Sequence, residues 1–191
     1  MLKEAVAAGE PAARSNEAFP ARPRVIVQPP RAGFHHPAGK HEILEMLRAI
    51  GPLAIYGLRS IELVRAPTSR AATVAFGRYR APGRIVLYEQ PLPPWRLPGL
   101  IAPATRRSLE RTGALLTMLP DAGATIVDWP EETLRRFMLE EVLLHEIGHH
   151  VLQQHTGKRP VRIARTRDHE AFAARFAEKQ RDRLAKCRRD R

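Results

Sequence analysis

Apolar positions along this chain recur with two periods. Between Lys40 and Ile50, residues Ile43, Leu44, Leu47 and Ile50 follow the i, i+1, i+4, i+7 spacing of a helix with one buried face, and Gly51-Pro52 ends the run. A longer helix is expected from Pro130, a residue favoured at the first helical position, to Thr156, where Gly157 and Pro160 stop it. Glu131 and Glu132 suit its positive end. Between Val142 and Leu152 this helix is apolar nearly all round, the pattern of a buried helix. A third helix is expected over Asp168–Cys187 and a short one around Thr105–Arg111. Alternating or β-branched runs predict strands at Arg24–Gln28, Ser60–Arg65, Ala71–Tyr79, Arg84–Glu89 and Ala124–Asp128. Ala81-Pro82-Gly83 reads as a turn between two of them, so the strands suggest a small antiparallel or mixed sheet built of hairpins. Five prolines in residues 91–103 predict a loop there. Residues 1–22 read as a mobile tail, 23–187 as one α+β domain and 188–191 as a basic C-terminal tail.

Composition narrows the class. At 191 residues and 43% apolar, the chain can bury one sizeable core. No apolar run approaches the roughly 18–20 residues of a membrane-spanning helix, and the N-terminus has no apolar signal region, so a cytoplasmic protein is expected. Cys187 is the only cysteine, which excludes an intrachain disulfide framework and any multi-cysteine zinc knuckle. The net charge of +12 suggests a nucleic-acid partner, but only five of the 32 basic residues are lysines, which also fits arginine-rich coding. Residues 1–103 carry 14 basic and 7 acidic side chains, 104–155 carry 5 and 8, and 156–191 carry 13 and 5. The excess is at the ends, so any role for it would be to bring the protein to DNA or to a DNA-bound regulator.

The acidic middle holds the chemistry. His145-Glu146-Ile147-Gly148-His149 is an H-E-x-x-H motif inside the expected buried helix. Residues i and i+4 lie one turn apart and about 40° round, so two imidazoles converge on one point, as two corners of a tetrahedral zinc site require. Glu146 lies about 100° from His145 and can reach a water at such a metal from the side as general base. The third ligand has two candidates. His155 occupies the place of the last histidine in the metzincin pattern, but Leu152 stands where that pattern has a turn-forming glycine. On a continuing helix His155 lies about 15 Å further along the axis and cannot share the metal. Glu170 opens the next helix, on a face shared with Ala173, Ala174 and Ala177. A carboxylate followed by small residues would let the two helices approach closely and complete a His₂Glu set with an open fourth position. On spacing alone Glu170 reads slightly more readily as an ordinary first-turn helix acid.

His145-Glu146-Ile147-Gly148-His149 followed by Glu170-x-x-Ala173-x-x-Phe176-Ala177 resembles the ImmA/IrrE family of zincin-like metallopeptidases. The likeness is close over residues 140–178 and loose over 40–180. It implies a zincin-like fold: a small sheet packed on a buried active-site helix, followed by a ligand-bearing C-terminal helix. It also implies His145, His149 and Glu170 as Zn²⁺ ligands, Glu146 as the base, and a protein or peptide substrate such as a transcriptional regulator. The chain has no recognisable helix-turn-helix, and its proline-rich 91–103 segment is outside the family pattern.

Other residues have smaller expected parts. His150 points away from His149 and reads as packing. Asp168 and His169 are candidates to orient a ligand, and Glu141, one turn before His145, to hold an imidazole N–H. Tyr79, Tyr88, His169 or an arginine could stabilise an oxyanion. His35, His36 and His41 have the chemistry for a metal but no spacing that favours one. Arg84–Glu89 is the candidate strand to pair with an extended substrate. The rival readings are a zincin-like core that binds a regulator without cleaving it, and a basic nucleic-acid-binding protein with an incidental motif.

Overall fold

The computed structural model describes residues 22–67, 76–99, 101–130, 132–156 and 167–190. The expected N-terminal tail up to residue 21, the first part of the Ala71–Tyr79 strand and nearly all of the basic Gly157–Arg167 loop lie outside them. In chain order the elements are β1 (Arg24–Val27), β2 (Phe34–His35), α1 (Lys40–Ile50), α2 (Pro52–Ile55), β3 (Ser60–Val64), β4 (Gly77–Arg80), β5 (Arg84–Tyr88), β6 (Gln90–Pro91), β7 (Trp95–Pro98), α3 (Pro103–Arg111), β8 (Leu115–Leu119), β9 (Ala124–Asp128), α4 (Thr133–Arg136), a π-helical stretch (Phe137–Leu143), α5 (Leu144–Thr156) and α6 (Arg167–Arg189). The fold is mixed α+β.

The main sheet has the order β1-β3-β5-β4. Its strands β1, β3 and β5 are parallel, and only β4 runs antiparallel, as the first arm of the β4–β5 hairpin. This corrects the expectation of a sheet built of hairpins. Parallel neighbours need a crossover of a dozen or more residues, and the chain supplies one twice: α1 and α2 between β1 and β3, and residues 65–83 between β3 and β5. A second sheet, β7-β9-β8, is antiparallel. Its strand β7 corrects the loop expected over 91–103. Proline is tolerated there because β7 is an edge, and Pro98 closes it.

One face of the main sheet, Ile61, Leu63, Ile85 and Leu87, joins a single core with Ile43, Leu47 and Ile50 of α1 and with Leu143, Leu144 and Ile147. Register places Ser60, Glu62 and Arg84 on the opposite face, where Glu62 accepts hydrogen bonds from the Ser60 hydroxyl (2.9 Å) and from Arg84 Nε and Nη2 (2.9 and 2.8 Å). Phe76, Trp95, Trp129 and Phe137 form a chain of ring contacts with centroids 4.9–6.0 Å apart. This cluster ties the second sheet to the start of the long helix.

Glu89, just after β5, is a buried carboxylate. It accepts from the Arg31 backbone N–H (2.8 Å), the Arg31 guanidinium and the Ala66 N–H (3.3 Å), pinning two loops to the end of β5. Burial alone would raise its pKa. The Arg31 and Ala66 donors outweigh burial and hold it below its ordinary 4.5. The stability this adds is therefore complete above pH 4.5 and declines as pH falls through the lowered native value. Glu89→Gln is expected to cost about 2 kcal/mol at pH 7 and to flatten the acid limb of stability. Urea unfolding at pH 7 and pH 4 measures both.

Candidate metal centre

The helix carrying His145-Glu146-Ile147-Gly148-His149 begins at Thr133, three residues after the expected Pro130, and runs to Thr156. Its stretch from Phe137 to Leu143 is wound in π-helical turns, which recur at functional sites. The wider winding changes the phase of everything before it. Glu141, which 3.6-residue spacing would set below His145, turns instead to Ser108 Oγ (2.9 Å), Arg111 (2.7 Å) and Arg181 (3.3 Å). It does not hold an imidazole. The winding also sets Val142 against Gly77 of β4, where a Cβ would lie 2.8 Å from Val142 Cγ1. The missing side chain lets the edge strand lie close to the helix.

From Leu144 the winding is regular, and His145 and His149 converge as the i, i+4 geometry requires. Their Nε2 atoms are 3.1 Å apart. Glu170 of α6 completes the group, with Oε2 3.0 Å from His145 Nε2 and Oε1 3.5 Å from His149 Nε2. Ligands at zinc bond lengths of about 2.0–2.2 Å and tetrahedral angles stand about 3.3–3.5 Å apart. The 3.5 Å spacing matches that value and the 3.0 and 3.1 Å spacings are a few tenths of an ångström shorter, and two imidazole nitrogens with a carboxylate are a zinc-compatible donor set. His145, His149 and Glu170 thus form a cluster that could hold a metal ion. His149 is buried, whereas His145 and Glu170 keep an open side.

Helix contact brings Glu170 there. Ala173 and Ala177 are buried against α5, as the small-residue stripe suggests, although Ala174 faces out. Gly148, inside the motif, is the other half of the contact. A Cβ on it would lie 2.7 Å from Ala173 Cα and 3.0 Å from Ala173 O. Arg181 and Arg188 of α6 pair with Glu141 and Glu140 of the π-helical stretch, and Arg183 donates to the Ala49 carbonyl (2.6 Å). These arginines of the basic C-terminal region are tied into the fold that presents Glu170.

Glu146 is buried beside the cluster, and its Oε2 accepts the backbone N–H of Tyr79 at 2.5 Å. Sequence reasoning missed this contact because a backbone donor has no side-chain signature. Tyr79 itself is committed to structure. Its hydroxyl donates to Gln153 (2.6 Å) and accepts from the Gly83 N–H (3.2 Å), and burial pushes its pKa up, partly offset by Gly83. His150 is wholly buried and bonds the Tyr56 carbonyl through Nε2 (2.8 Å). Burial lowers its pKa against the pull of that carbonyl, so it packs as a neutral ring.

The remaining candidates fall away from the cluster. The helix continues through Thr156 with no turn at Leu152, and the His155 side chain lies outside the described residues. Neither Asp168 nor His169 is hydrogen-bonded to a ligand among the described residues. His35, His36 and His41 join no group of three metal-competent side chains among those residues. Strand β5 lies between β3 and β4, so Arg84–Glu89 is not an edge that a peptide could extend. The edge is β4. Its partner contacts with β5, and the Tyr88 N–H bond to Phe76 O (2.9 Å), alternate so that Gly77 and Tyr79 turn their backbone groups outward. The Tyr79 N–H so exposed is the one on Glu146. No family model matches the chain, and neither a curated protein nor a solved structure matches it. No helix of the described residues is long and apolar enough to cross a membrane.

Proposed function

We propose that this chain is a zinc-dependent metallopeptidase with a zincin-like core of the ImmA/IrrE type. The observation that carries this is the convergence of His145, His149 and Glu170 at metal-ligand spacing, next to a buried Glu146. Two histidines and one glutamate leave a fourth position for water or substrate, the catalytic rather than the structural arrangement. Zinc, when bound, lowers the pKa of a water and polarises a carbonyl. The chain's own residues supply the rest. Glu146 takes a proton from the attacking water and passes it to the leaving amine. Tyr79's N–H fixes the carboxylate's orientation while that transfer occurs. An extended substrate adds to the outward edge of β4, between that strand and the cluster.

Purified chain is expected to carry stoichiometric zinc by atomic emission and to cleave unfolded casein. Chelation should abolish cleavage, and zinc should restore it. Chain that folds but takes up no zinc would overturn the reading. If zinc binds and no peptide is cut, the core acts by binding alone.

A further inference from the structure

The edge strand that lies along the cluster is unusually basic on one side. Arg78 and Arg80 alternate with Gly77 and Tyr79, and both are exposed. Gly77 and Tyr79 turn toward the helix, against Val142 and His150. The two arginines therefore stand on the other face, with Glu62 and Arg84. The one carboxylate near them is shared: Glu62 is held by Nε and Nη2 of Arg84 and also lies within electrostatic reach of Arg80. Among the described residues, no carboxylate forms an ion pair with Arg78 or Arg80. Arg80 stands directly opposite Arg84 across the hairpin, a like-charge pair that costs stability unless something offsets it.

A peptide that extends β4 places every second side chain beside Arg78 and Arg80, on the same face and at cross-strand distance. Opposite charges there attract and like charges repel. Arginine also offers a planar fork that matches a carboxylate in two hydrogen bonds. We infer that the substrate is an acidic peptide segment, with Asp or Glu at two alternate positions set beside Arg78 and Arg80 along β4. This rests on the metallopeptidase reading above and names its substrate class. It also locates a charge contact that the whole-chain excess of +12 does not: two residues on one strand of the site, rather than the ends of the chain.

The test is a cleavage profile of the zinc-loaded full chain on a mixed peptide library made by digesting cell lysate, with cut sites read by mass spectrometry. Cuts flanked by Asp or Glu at two positions of i, i+2 spacing should be enriched roughly two- to thirty-fold over Ala at those positions. R78E/R80E should invert the preference to Lys or Arg. R78Q/R80Q, the milder change, should erase it, with a melting temperature no lower than that of the wild type. A wild-type profile blind to charge at both positions overturns the inference and leaves the peptidase reading standing. So does an acidic preference that survives R78Q/R80Q. A charge-blind profile in which a single-stranded oligonucleotide inhibits cutting, and no longer does so in R78Q/R80Q, would assign the arginines to phosphate instead. Absence of any cut that depends on Glu146 overturns both readings together.

Discussion

Glu146→Gln is expected to lower turnover by about 10²–10⁴-fold while zinc stays bound. Glutamine keeps the shape of glutamate, and its amide oxygen can still accept the Tyr79 N–H that now rests on Oε2. What it cannot do is take a proton from water and return it to an amine. Its buried place beside His145 also means that the native state loses a buried charge, so stability should hold or rise slightly. The measurement is kcat on unfolded casein together with zinc content and a melting curve. Full activity in the variant would remove Glu146 from the chemistry. An intact cellular effect without hydrolysis would favour the binding-only alternative.

Gly148→Ala is expected to weaken zinc binding by about 10–100-fold, the range seen when groups that position metal ligands are changed. Judged on helix propensity alone, the substitution should stabilise α5 by about 1 kcal/mol. Geometry reverses the sign. The new Cβ would lie 2.7 Å from Ala173 Cα and 3.0 Å from Ala173 O, which are backbone atoms and cannot rotate away. Helix α6 must then move off, and Glu170, one turn before Ala173, moves with it. His145 and His149 sit on α5 itself and keep their mutual spacing, so the variant retains a two-histidine site of low affinity. Competition with a chromophoric chelator reads the loss. Ala173→Gly should not rescue it, because it removes only the third-nearest contact, the Ala173 Cβ at 3.2 Å. Wild-type affinity in Gly148→Ala would show that the helices have slack at this crossing.

The parts of this molecule legible in its sequence are those decided within one or two helical turns. Helix α1 is observed over the expected Lys40–Ile50, because apolar spacing and the Gly51-Pro52 stop are both local. The i, i+4 convergence of His145 and His149 is equally local. What depended on distant partners was read less well. Parallel pairing of β1, β3 and β5 is set by crossovers and by burial of one sheet face, neither of which a strand's own residues encode. Strand β7 was hidden by prolines that its edge position tolerates. Edge and interior exchanged places between β4 and β5 for the same reason. The expected position of Glu141 failed on a different ground, since it assumed an even 100° per residue and the π-helical turns break that count. Glu170 was ambiguous by spacing. Only its partner helix, through the Gly148–Ala173 contact, brings it to the histidines.

An outward-facing strand edge is also a place where two molecules can stick together. A second copy of this chain is one such partner, and β4 turns outward the backbone groups of Gly77 and the Tyr79 carbonyl, the Tyr79 N–H being held by Glu146. If two β4 edges met in antiparallel register, the arginines of one would stand against the arginines of the other. That repulsion discourages stacking into larger aggregates without closing the edge to other segments. The same two side chains would thus keep the protein dispersed and leave that edge open to a differently charged visitor.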